Sequence, residues 1–354
     1  MLISELLLPA MGCFDGTRTE LDLQKFLSPE AILSLVGALK REGFLETEEF
    51  FALREKRHAE FRDAPVRSAA HADEYPREVL DEYFSGIPPE SGGELLGLAA
   101  PHVSLRGGWQ SYTDAYRRVT PDFADRTFVI LGTSHIGEPE KFGLTRKPYA
   151  TPLGSSEVDT PKLDFLVKHA PKAVIEEDYC HSFEHTIEFQ VAFLQYVMGR
   201  PVKILPVLCG GFHDSLRTGR KPESQDSARA FFEALGELAA KHGNQLFWLL
   251  GIDMAHMGAR YQDNFAAIAD QGLMVEVAAR DQARMERVCA GDSDGFLEMV
   301  MPNGDDLKWC GYSPLYTFMR ALPGTPGKVL RYEQWNIDPQ SVVSFAGIEF
   351  SARP

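Results

Sequence analysis

From Leu95 onward, apolar residues in this 354-residue chain follow two alternating patterns. Short, nearly unbroken apolar runs at 95–100 (LLGLAA), 127–132 (TFVILG), 203–208 (KILPVL), 246–251 (LFWLLG) and 343–350 predict strands. Between them, helical periodicity predicts helices over roughly 107–118, 160–169, 182–198, 224–242, 262–289 and 312–322. Alternation of this kind predicts an α/β domain in which a central mixed sheet carries helices on both faces.

The first sixty residues follow a different pattern. Thr17 or Thr19 is placed to cap a short helix carrying Leu21, Leu23, Phe26 and Leu27. Ser28-Pro29-Glu30 is a strong helix start, and Ile32, Leu35, Val36 and Leu39 then line one buried face as far as Gly43. Phe44-Leu45-Glu46-Thr47 reads as a short strand or wing. The expected organisation is a small winged-helix-like module at 1–60, a polar and then Pro/Gly-rich linker at 61–93, and the α/β domain at 94–354.

Composition narrows the function. A net charge of −15 argues against nucleic acid or an anionic membrane surface as a partner. No run approaches the roughly 18–20 apolar residues of a membrane helix. The MLISELLLPAMGCF start lacks the basic region of a signal peptide. Five scattered cysteines without a CxxC pair predict a reducing compartment, so the expected location is cytoplasmic.

Candidate chemistry gathers where apolar runs end. His102 follows the first run through Pro101, and His135 follows the second through Thr133-Ser134. Ligands of open α/β sheets bind outside the carboxyl ends of the strands. Two neutral imidazoles placed there favour a shared cation. His181, His185 and Glu188 have the spacing of one helix face, a His/His/carboxylate set of the kind that holds non-haem iron; His181 reads better as a plain polar residue, His185 as part of the site. Asp253 and His256 follow the 246–251 run, where an Asp orients a His as base or ligand. Cys310 precedes an apolar helix, a setting that lowers a thiol pKa and makes a good ligand. Cys13, Cys180, Cys209 and Cys289 read as packing residues. GxSxG, P-loop, HExxH and GxGxxG signatures are all missing.

Taken in order, APH at 100–102, ILGTSH at 130–135, EHTIEFQ at 184–190, ILPVL at 204–208, DMAH at 253–256 and CGYSPLYTFMRAL at 310–322 resemble the Memo family. The resemblance spans about residues 95–350. It implies a fold similar to class III extradiol dioxygenases, with His102, His135 and Cys310 as metal ligands. It also implies His256 facing the metal with Asp253 beside it, and His185 as a further pocket histidine. The expected function is a non-haem Fe(II) oxygenase acting on a small-molecule or peptide substrate, with His256, Asp253 and His185 catalytic. Copper and zinc are the alternative metals. The alternative function is a non-catalytic redox or metal-binding accessory protein that docks a protein partner through the N-terminal module. The family's PHAGY segment is here Pro101-His102-Val103-Ser104-Leu105, and its short N-terminal HAG segment is expected to be absent.

Overall fold

The strongest sequence signal in the N-terminal region, Ser28-Pro29, starts a helix as expected. In a computed structural model describing residues 8–85, 88, 90 and 95–352, Ser28 accepts a hydrogen bond from the Ala31 amide at the head of α3 (Pro29–Arg41). Before it come α1 (Leu8–Met11) and α2 (Glu20–Leu23), and after it α4 (Glu48–Asp63). Leu23, Ile32, Leu35, Val36 and Leu39 are buried among these helices. The chain divides into two units, 1–63 and 64–354. The wing expected at 44–47 is not a strand. Those residues lead straight into α4, whose Glu48 and Glu49 suit a helix N-terminus, and the described part of the first unit holds helices alone.

The 61–93 linker also needs correction. Residues 64–85 belong to the second unit, and α5 (Arg77–Phe84) buries Leu80 and Phe84 in its core together with Tyr75. Polar composition concealed this because the apolar anchors are few and widely spaced. The Pro/Gly-rich end of that stretch lies largely outside the described residues.

Among the described residues eleven strands follow: β1 (Leu95–Ala100), β2 (Thr127–Thr133), β3 (Phe142–Leu144), β4 (Tyr149–Thr151), β5 (Gly154–Ser156), β6 (Val174–Glu176), β7 (Lys203–Cys209), β8 (Leu246–Gly251), β9 (His256–Gly258), β10 (Gly327–Asp338) and β11 (Ser341–Ser351). Interleaved helices are α6 (Leu105–Tyr116), α7 (Thr160–His169), α8 (His185–Met198), α9 (His213–Thr218), α10 (Asp226–His242), α11 (Leu273–Cys289), α12 (Ser293–Val300) and α13 (Tyr312–Ala321). All strands but β4 and β5 form one mixed nine-stranded sheet in the order β10-β11-β1-β8-β2-β7-β3-β6, with β9 paired to β11. β1, β8, β2 and β7 are mutually parallel, whereas β11 and β3 flank them antiparallel. The four central strands are buried almost throughout, which is why they read as unbroken apolar runs. α6 and α8 cover one face; α13 covers the other, with α10 and α12 behind it.

The long hairpin β10–β11 was half legible. β11 is buried at every position but the last, while β10 is half-buried at every position but the exposed Lys328 and gives no periodic signal. The helix expected over 262–289 begins only at Leu273, because 262–272 is irregular.

Candidate metal centre

Parallel pairing brings the carboxyl ends of β1, β8 and β2 side by side, with β8 in the middle. His102 lies just past β1, Asp253 just past β8 and His135 just past β2. Across them, the turn that begins α8 approaches closely. At Gly251, the last residue of β8, a Cβ would strike the Thr186 carbonyl, so glycine is required by that contact.

His102 is buried, and its Nδ1 lies 3.0 Å from the Gly251 carbonyl. A proton on Nδ1 satisfies that contact and leaves Nε2 with a free lone pair. The Cys310 Sγ is 3.2 Å from that Nε2. His135 faces Glu184 Oε1 with Nδ1 at 3.0 Å, which frees its Nε2 in the same way. One donor atom each from His102, His135 and Cys310 lie within 4.8 Å of one another. Two imidazoles with a lone pair free and a thiol at that spacing suit a three-ligand centre for a soft or borderline transition metal.

Glu184 organises the second side of the site. Besides His135 Nδ1, it accepts the backbone N–H of His135 at 3.0 Å and of His185 at 3.1 Å, and its Oε1 is 3.2 Å from His185 Nδ1. Burial opposes the charge, but hydrogen bonds from His135 and His185 outweigh it and hold the carboxyl well below the usual range. For His135 the same balance runs the other way: burial disfavours the cation, and Glu184 nevertheless pushes its pKa up. His102 has Asp253 Oδ2 3.6 Å from its Nε2, yet burial, reinforced by His135 and His185, holds its pKa well below the ordinary value. Burial and the Asp253 charge push the Cys310 thiol well up in the metal-free protein. A bound cation reverses that preference, because a coordinated thiol loses its proton.

His185 joins the two ligand histidines in a triangle. Ring centroids are 5.3 Å apart for His135–His185 and His102–His185, and 5.2 Å for His102–His135, with the first pair stacked. His181 and Glu188, expected to share its helical face, do not join it: His181 precedes α8, and Glu188, one turn into the helix, is taken up by partners of its own. His181 is fully buried, with ring contacts to the Tyr149 hydroxyl and the Gly143 carbonyl. Glu188 is buried against Arg67, and also accepts the Ala70 and His71 amides and the Tyr75 hydroxyl.

Asp253 and His256 are near each other in sequence but do not pair. Asp253 Oδ1 accepts the His102 and Val103 amides at 2.9 and 3.2 Å. Burial pushes its pKa up to about 7, with those two amides and the His135 charge opposing. His256 is oriented by main chain instead: its Nδ1 is 2.9 Å from the Met254 carbonyl and 3.1 Å from that of Lys308. Its Nε2 is therefore free. Burial lowers its pKa to about 4, which leaves the ring neutral at pH 7.

These groups line a cavity of about 440 Å³ shared by His71, Glu74, His102, His135, His185, His256, Arg260 and Tyr261, with Val103, Phe189, Ile337 and Val343 as its apolar part. Sequence reasoning missed three of its determinants. Glu184 carries no role of its own in the sequence reading beyond the EHTIEFQ motif, although an acid directly before a site histidine was the available signal. His71 stands 5.5 Å ring to ring from His185, on a stretch read as linker. Arg67, fully buried, binds the carbonyls of His181 and Glu184 as well as Glu188, and so fastens that stretch to the start of α8.

Comparison with known proteins agrees with this geometry. The profile of the Memo-like protein family matches residues 69–349. A MEMO1 family protein of Methanopyrus kandleri is 28% identical over 264 residues, covering 72% of this chain and 83% of its own. One from Thermococcus kodakarensis is 28% identical over 291 residues, covering 79% and 95%. Among solved structures, an uncharacterized protein of Escherichia coli K12 aligns with a TM-score of 0.39 at 12% identity, over 64% of this chain and 86% of that one, too distant to bear on the site. Because the family match begins at residue 69, it takes in Ala70-His71-Ala72-Asp73. A match across most of the chain, over the segments that assemble the His/His/Cys cluster, establishes that this chain belongs to the Memo family.

Proposed function

We propose that this protein is a non-haem iron oxidoreductase of the dioxygenase type, with Fe(II) held by His102, His135 and Cys310. One observation supports the reading above all: donor atoms of His102, His135 and Cys310 lie within 4.8 Å of one another, and the two histidines line a cavity that His256 also lines. Ferrous iron with three protein ligands would supply open positions for dioxygen and substrate, and Lewis acidity toward both.

The remaining roles fall to the protein. His256 is neutral and aimed by two carbonyls, so its Nε2 can accept a proton from a substrate hydroxyl or amide N–H. The Tyr261 ring meets it edge-on at 4.9 Å and limits its rotation. Glu184 fixes His135 and His185 in one tautomer each. Val103, Phe189, Ile337 and Val343 exclude water from one side of a bound small molecule or peptide side chain. The N-terminal unit serves as the docking module for a protein that delivers the substrate. No helix among the described residues is long and apolar enough to cross a membrane.

The test is anaerobic reconstitution with Fe(II), followed by oxygen uptake with phenolic and peptide substrates. Expected are one iron per chain in the wild type, its loss in His102→Ala, His135→Ala and Cys310→Ala, and oxygen uptake lost in His256→Ala with iron retained. Iron at wild-type content in all three ligand variants overturns the reading. The Cys310 sulfur favours one competitor, a copper- or zinc-holding accessory protein, since thiolate suits Cu(I) and zinc well. Cu(I) binding that displaces iron, with no oxygen uptake on any substrate, would decide for it.

A further inference from the structure

Cys310 sits on a short loop whose geometry is set from behind by a buried polar network that the proposed chemistry does not use. Trp309, fully buried, is gripped twice. Its backbone N–H donates to Asp305 Oδ2 at 2.6 Å, and its indole N–H donates to Asp281 Oδ1 at 2.7 Å. Arg284 bonds the other Asp305 oxygen at 2.8 Å and lies 5.3 Å from the indole ring. Both Asp281 and Arg284 stand on α11, far from the cavity in sequence.

Asp281 is fully buried and has no salt bridge among the described residues; its charge rests on neutral donors. Burial raises its pKa against those hydrogen bonds. Its second oxygen accepts the Tyr332 hydroxyl at 2.8 Å and the Ser344 hydroxyl at 2.6 Å. Ser344 Oγ in turn accepts the Ala255 amide at 2.8 Å, one residue before His256. One carboxylate therefore reaches both sides of the site, the sulfur donor through Trp309 and the free histidine through Ser344. The two branches meet again at the front, where Leu307 and Lys308 offer their carbonyls to the His256 amide and Nδ1. A buried polar group costs stability unless all its bonds are made, and an apolar side chain would fill the same volume without that cost. A fully satisfied network fixes one arrangement of its members.

We propose that Asp281 is a positioning residue for the metal centre, acting through Trp309 on Cys310 and through Ser344 on His256. This rests on the assignment of Cys310 as a metal ligand. Cys310 is also held by the Thr133 hydroxyl on its carbonyl, but without the indole bond the 305–310 loop loses its tie to α11, and Sγ moves relative to the Nε2 atoms of His102 and His135. The metal should still bind through the imidazoles, but with a weakened sulfur bond.

The experiment uses the full chain loaded with Co(II), whose bond to a thiolate gives an intense near-ultraviolet charge-transfer band. Trp309→Phe keeps the ring and removes the indole N–H; Asp281→Ala removes the carboxylate; Asp281→Asn keeps an acceptor for the indole and donors for the two hydroxyls. In variants that melt cooperatively and bind one Co(II), the band is expected to fall at least twofold for Trp309→Phe and Asp281→Ala, with affinity about tenfold weaker, and to return close to wild type for Asp281→Asn. Should Asp281→Ala fail to fold, Trp309→Phe alone decides. An unchanged band in Trp309→Phe at full occupancy overturns the positioning role while leaving the ligand assignment intact. A wild-type protein that binds Co(II) without a thiolate band overturns both.

Discussion

Glu184 and Asp253 are both buried carboxylates beside the candidate ligand histidines, yet their pKa values are pushed in opposite directions. Glu184, in the turn before α8, is contacted by two amides and two imidazole nitrogens and stays ionised. Asp253, past the end of β8, receives two amides only and is pushed up to about 7. Burial alone does not decide whether an acid near a metal site is charged; the number of N–H groups aimed at it does. The two sides of the site thus differ in kind: one supplies a fixed negative charge to ligand-bearing imidazoles, the other ties down the main chain that carries His102.

The largest test of that contrast is Glu184→Gln. Losing the charge and half the acceptor capacity frees His135 and His185 together, so metal affinity measured by chelator competition is expected to fall about 10–100-fold. Asp253→Asn retains an oxygen for the His102 and Val103 amides and should cost less than about tenfold. Equal losses in the two variants would break the comparison.

His181 extends it to a buried group with neutral hydrogen-bonding partners. Burial lowers its pKa to about 4 from 6.5, so the folded protein holds it uncharged. The unfolded chain binds its proton first as pH falls. Its contribution to stability is therefore complete above about pH 6.5 and is lost progressively down to about pH 4. Urea midpoints for His181→Gln should decline less steeply across that window than those of the wild type, from a lower starting value. A parallel decline would mean that His181 is not neutral when folded.

The smallest expected effect is that of removing residues 1–63. Both carboxylates, all three ligands and His71 lie in the second unit, so a chain starting at Ala64 should bind metal within about twofold of the full protein. Metal loss on that truncation would show that the first unit supports the site.

What could be read beforehand follows from what burial does to sequence. The central strands β1, β2, β7 and β8 are covered on both faces, so their apolar runs stood out, and the histidines beyond β1 and β2 were visible as punctuation. β10 and the short strands β3 to β6 and β9 carry no such pattern. The site was legible in its ligand types and illegible in its supports. Glu184, Arg67 and Asp281 are charged residues whose burial depends on partners as far as 28 to 121 positions away, and one-dimensional spacing holds no record of that. Asp253 shows the converse, since proximity in sequence to His256 suggested a pair that the backbone directs apart.

The placement of β8 between β1 and β2 has a consequence in time. His102 and His135 come from strands made early, but those strands are not neighbours: the position between them is filled by a segment synthesised more than a hundred residues later, and the sulfur donor emerges later still. A nascent chain on the ribosome therefore exposes both histidines without bringing them into register. The His102/His135/Cys310 donor set is therefore complete only once nearly the whole polypeptide has been made.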